Sequence, residues 1–145
     1  MKLPKEIING FLIFILIGLY FLLMEALGLA KLFYLRLINI LFLFYGVNKT
    51  ISMNVKNGRT KFVPNVVAAI LTSLIGVFLS FIGLIIYATF KGGDAYIASL
   101  SKTFLFGGNP SIDTYSVSLL FEGIASSVIV TLVLIFNWNN KFESD

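Results

Sequence analysis

Glu25, Arg36 and Glu122 are the residues of this chain whose type and setting could do chemistry, because each lies beside or inside a stretch otherwise apolar enough to sit in lipid. Ionised side chains are costly inside a bilayer. Carboxylates and a guanidinium at similar depth therefore either pair with one another or serve a proton, an ion or a polar substrate. The run "LLMEALGLAKLFYLRLINILF", Leu22 to Phe42, holds Glu25, Lys31 and Arg36. Arg36 is the deepest of the three, and a long guanidinium side chain can reach Glu25 across a helical hairpin or Glu122 from a later helix. Three readings follow: an architectural clip on Arg36, which is the favoured one; a relay or polar pocket open to the outer side; and hairpin ends solvated by water.

The elements that must position these charges are membrane helices. Hydrophobic residues make up 58% of the 145, charged residues only 12%, and the mean hydropathy is +0.94. That balance lies outside the range of soluble domains and makes the bilayer the expected solvent. Cys and His are both absent. Disulfides, thiolate metal sites and histidine acid-base chemistry are thereby excluded, and no cofactor or metal is expected. The net charge of +4 comes from residues set between apolar runs, a pattern of membrane orientation and not of a nucleic-acid-binding face. No glycine-rich phosphate loop, GxSxG elbow or HExxH pair occurs, so an enzyme is not expected.

Four apolar runs have spanning length, about 8–27, 31–47, 66–87 and 117–138, within one integral membrane domain over 1–145. The expected fold is an all-α four-transmembrane-helix bundle. The first run is longer than a signal peptide's core and is read as retained. Gly28 to Ala30 is the turn between the first two spans, and helix can continue in the second as far as Ile51. The segment from Val47 to Phe62 is polar and basic, with Asn57-Gly58 as its breaker, and reads as a loop on the water side. Between spans three and four, Ile97, Leu100 and Phe104 recur at helical spacing, which predicts a short interfacial helix.

Lysine and arginine set the orientation. Lys2, Lys5, Lys49, Lys56, Arg59, Lys61 and Lys141 fall on the side of both termini; Lys31, Arg36, Lys91 and Lys102 fall on the other. The positive-inside rule then places both termini in the cytoplasm, in a bacterial cytoplasmic (inner) membrane. Tyr45 and Trp138 would mark the inner interface, and Tyr34, Tyr87 and Tyr115 the outer one. Lys49, Lys56, Arg59 and Lys61 could contact anionic lipid heads.

A small-residue stripe is the more specific packing signal. Ala68, Thr72, Gly76 and Ser80 recur every four residues in span three, and Gly123, Ser127 and Thr131 do so in span four. Small residues let helix backbones approach closely in lipid, so the two stripes are expected to pack on each other, within one chain or in a homo-oligomer or a complex with a membrane-protein partner.

The order of features resembles a family of small four-span bacterial membrane proteins, the domain-of-unknown-function 4199 group. The residues that carry it are "NGRTKFVPNVVAAILTSLIG", then "FIGLIIY", and a last span ending in "NWNNK". The resemblance implies the four-span fold and supplies no catalytic residues. Small multidrug-type transporters also combine four spans with an acid in the first helix, but their acid is mid-membrane and Glu25 is near the end of its span. The expectation is a non-enzymatic accessory, assembly or structural component of the membrane. The alternative is a small transporter or channel subunit that uses the Glu25, Arg36 and Glu122 cluster.

Overall fold

The computed structural model describes residues 3–100 and 111–145. Over these residues the chain is helical: α1 (Lys5–Ala26), α2 (Phe33–Arg36), α3 (Asn39–Lys56), α4 (Phe62–Lys91), α5 (Asp94–Leu100) and α6 (Ile112–Trp138), with a 3₁₀ turn at Asn139–Lys141. Helices α1, α4 and α6 are long and apolar enough to cross a membrane. With 22, 30 and 27 residues, each exceeds the roughly 20 residues that a ~30 Å hydrocarbon core requires. Their outward sides are greasy: Phe90, Phe136 and Phe121 are among the most exposed residues described. Pro64 falls in the first turn of α4, where a missing N–H leaves no helical bond unmade.

The second apolar run departs from the single helix expected over 31–47. It breaks after Arg36, and α3 starts only at Asn39. The connection is made of tight i to i−3 bonds, with Ile38 N donating to Leu35 O at 3.3 Å and Leu41 N to Ile38 O at 2.9 Å. Asn39 N would bond Leu35 O in a continuous α-helix; instead the Tyr20 hydroxyl from α1 donates to that carbonyl at 2.9 Å. Helix α3 then runs on through most of the expected Val47 to Phe62 loop and reaches Lys56. Its inward residues explain why: Val47, Thr50, Ile51 and Asn54 are all buried, which extends one packed face beyond the apolar run. Only 57–61 remains as a turn, with Gly58 at φ +76°.

Helices α3 and α4 lie side by side, flanked by α1 on one side and α6 on the other. The N-terminus, the turn after α3 and the C-terminal tail gather at one end, called here the termini end. Lys5 Nζ donates to Met53 O at 3.3 Å, Trp138 Nε1 to Asn48 Oδ1 at 2.8 Å, and Glu143 N to Thr60 O at 2.9 Å. At the opposite end, the hairpin end, α5 sits over the bundle. The short helix expected between spans three and four is present, but Ile97 and Leu100 turn inward against Ala88 and Tyr115. Phe104 lies outside the described residues.

The small residues pack, but with other partners than expected. A Cβ on Gly76 would stand 2.6 Å from Ile13 Cγ2 and 3.2 Å from Gly10 O, and one on Gly10 would stand 3.0 Å from Thr72 O. Gly76 thus admits α1, not α6, and Gly46 of α3 closes on the same Ile13, which is fully buried. Gly123 of α6 meets Val77 instead. Successive residues point roughly 100° apart around a helix, so α4 offers its glycine to α1 and the adjoining valine to α6. Ala68, Thr72, Ser127 and Thr131 are buried, and Ser80 is half-buried with its hydroxyl donating to Gly76 O at 2.8 Å.

A polar ladder runs through the termini half of this interface. Asn9 Nδ2 donates to Thr50 Oγ1 at 2.9 Å, Thr50 meets Thr72 at 2.9 Å, and Thr72 Oγ1 donates to Ala68 O at 2.8 Å. One proton per hydroxyl suffices if Thr50 donates to Thr72. Three helices are joined through buried groups, where an unmade hydrogen bond is costly. Thr50→Val should therefore lower stability in detergent by about 1 kcal/mol, since interhelical hydrogen bonds contribute on that order. Thr114→Val, at an exposed position, should change little; equal melting curves for the two variants would show that the ladder does not bind the helices together.

Candidate functional site

The three charges expected to converge are divided between two arrangements at the hairpin end. Glu25, in the last turn of α1, accepts hydrogen bonds from the hydroxyls of Tyr87 in α4 and Tyr96 in α5, the latter at 2.8 Å. The two rings meet edge to face with centroids 5.9 Å apart, and Lys91 Nζ lies 5.6 Å from the Tyr87 centroid. Burial, and then the hydrogen bond to the Glu25 carboxylate, raise the Tyr96 phenol well above its ordinary pKa. Tyr96 therefore stays a neutral donor across the physiological range. Two phenols from two helices satisfy the acid, a structural tether of α5 onto the bundle.

Arg36 goes to Glu122. Its Nη2 donates to Glu122 Oε2 at 3.3 Å, and its Nη1 donates to the Tyr115 hydroxyl at 2.8 Å. The break after α2 puts the guanidinium beside α6, where Tyr115 and Glu122 stand two turns apart on one face. Tyr115 is buried, 3% exposed, so it is a partner of Arg36 and not the interfacial marker expected of it. Tyr87 likewise serves Glu25, whereas Tyr34 and Tyr45 are exposed as interfacial rings would be. Glu25 and Glu122 were equal candidates for Arg36 in the sequence because all three lie at similar depth; only the choice of helix neighbours separates them.

The Arg36–Glu122 pair opens into a cavity of about 540 Å³ between α1, the α2–α3 break, α4 and α6. The side chains of the pair keep 20% and 36% of their exposure. Aliphatic and aromatic side chains line most of it, among them Ile17, Phe21, Leu43, Phe81 and Leu119. Polar groups are few, namely the charged pair, Tyr115, Asn39, Ser80 and Ser126 and the tyrosines of α1 and α4. Asn39 Oδ1 is buried without a hydrogen-bond partner among the described residues. An apolar chamber of this size with a few convergent polar groups has the form of a small-molecule site.

The sequence singled out Arg36 and both acids but missed Tyr20, Tyr96, Asn9, Asn39 and Thr50 as partners or lining groups. A polar side chain in an apolar run, such as Asn9 in "IINGFL", was the available signal. Among the described residues no group of His, Cys, Asp and Glu could hold a metal ion. No protein-family model, curated protein or solved structure matches this chain.

Proposed function

We propose that this chain is a four-span, non-enzymatic accessory, assembly or structural component of a bacterial cytoplasmic membrane, with both termini on the cytoplasmic side. The observation that carries this reading is how the intramembrane polar groups are used. Glu25 with two tyrosines, Arg36 with Glu122 and Tyr115, and the Asn9–Thr50–Thr72 ladder each tie together different helices. Such groups are expensive in lipid, and here they are invested in holding the bundle. In this reading α2 and α3 together form the second span, Lys49, Lys56, Arg59 and Lys61 meet anionic lipid heads, and the greasy faces of α4 and α6 meet lipid, a second copy or a membrane-protein partner. The 4199-group resemblance fits this reading and adds no site residue to it.

A small transporter or channel subunit is the second reading, supported by the cavity reached by Arg36 and Glu122. It expects ion-coupled flux in reconstituted vesicles that Arg36→Met abolishes without unfolding the protein.

The chain has no native Cys, so labelling tests the topology directly. Cys at Asn57 is better tolerated than at Gly58, whose positive φ disfavours a side chain. Asn57→Cys should react with an impermeant reagent only from the cytoplasmic face and Tyr34→Cys only from the outer face. Reaction of both from one face would mean that α3 does not cross, and the four-span reading would fall.

A further inference from the structure

We infer that the cavity between α1, the α2–α3 break, α4 and α6 is a binding site for one phospholipid with an amine-bearing head group. Its phosphate meets Arg36, its ammonium meets Glu122, and one acyl chain lies along the apolar wall. The inference rests on the chain's helices crossing a membrane and goes beyond the accessory role proposed above.

Shape is the first argument. On α1 the lining extends from Phe14 to Met24, about 15 Å along the helix axis at 1.5 Å per residue, or half of a ~30 Å hydrocarbon core. The chamber is therefore about one leaflet tall, and its volume of about 540 Å³ lies in the range of small-molecule pockets, room for one acyl chain with the rest of the lipid outside. Its walls are aliphatic and aromatic, which suits an acyl chain.

Charge is the second. The pair is joined through one 3.3 Å contact, not the two parallel bonds of a closed guanidinium–carboxylate fork, and both members remain reachable from the cavity. Arg36 and Glu122 neutralise each other, so an occupant must carry no net charge. An anionic head that took Arg36 would leave the carboxylate unpaired in a low dielectric, and a cationic head that took Glu122 would do the same to the guanidinium. A head bearing both charges replaces each partner with another. The ammonium must also donate: Glu122 Oε1 accepts no hydrogen bond among the described residues. A primary amine can donate to it and a quaternary one cannot.

The experiment is native mass spectrometry of the full chain released from nanodiscs of equal parts dioleoyl phosphatidylethanolamine, phosphatidylcholine and phosphatidylglycerol. One ethanolamine lipid per chain should be retained, about tenfold over either of the others, a difference worth one charge-assisted hydrogen bond. Glu122→Gln should abolish that preference. Because a change at the pair can also disturb folding, Gly18→Leu provides an independent variant: Gly18 lines the cavity and has open space where a side chain would go. It should keep helix content and melting temperature while lipid retention falls about tenfold. Equal retention of the three lipids, preferential retention of the glycerol lipid, or undiminished retention in Gly18→Leu would each overturn the inference. None of these outcomes bears on the labelling test of topology, so the two proposals fail separately.

Discussion

Gly76→Leu is expected to destabilise the bundle by about 3 kcal/mol or more, the upper range for overpacking a close-fitted interior. Even a methyl group there would meet Ile13 Cβ at 2.8 Å and Gly10 O at 3.2 Å. Neither is a flexible tip: one is anchored next to a backbone and the other is backbone. Ile13 has no room to retreat, because Gly46 presses on it from α3 and it is fully buried. The helices α1 and α4 would have to part, and with them the Asn9–Thr50–Thr72 ladder. The measurement is thermal melting in mild detergent beside Phe136→Leu, a control at a residue 84% exposed on α6. Ile13→Ala combined with Gly76→Leu should recover a small part of the loss, since it removes Cγ2, the nearest atom at 2.6 Å, and leaves Cβ and Gly10 O in place. If the Gly76 variant melts with the parent, α1 and α4 are not in contact there. Ile75 would not serve as the control, because its side chain fills the space over Gly10.

Glu122→Leu should be the most damaging change among the charged residues, at about 2 kcal/mol. Breaking a sealed buried pair costs roughly 3–5 kcal/mol, but the Glu122 side chain is 36% exposed, so water in the cavity screens part of the stranded charge. The asymmetry between partners is the sharper test. A guanidinium cannot lose its proton, whereas a carboxylate left alone can take one up and become neutral. Arg36→Met should therefore cost less than Glu122→Leu, and the double variant should recover much of the single loss. Glu25→Gln should cost least of all, because one phenol can still donate to the amide oxygen while the other turns to accept from the amide nitrogen. Equal melting of Glu122→Leu and Glu25→Gln would mean that Arg36 does not depend on Glu122.

Composition and pattern determined that the chain is helical and that three stretches are apolar enough to span, because a run of about twenty apolar residues has few other stable states in lipid. They also picked out Arg36 and Glu122, since an ion in an apolar run is conspicuous wherever the run folds. Which side chains met was decided by tertiary structure. Glu25 and Glu122 lie at similar depth, and a one-dimensional reading has no coordinate for position around a bundle. The same blindness paired the stripe of Gly76 with that of Gly123: four-residue spacing gives a face but not its neighbour. The break at Arg36 was invisible for a related reason, as no Pro or Gly marks it; a hydroxyl from Tyr20 and the pull of Tyr115 and Glu122 replace the helical bonds given up. The cavity is enclosed by residues from α1, the α2–α3 connection, α4 and α6 together, a product of packing that no residue pattern announces.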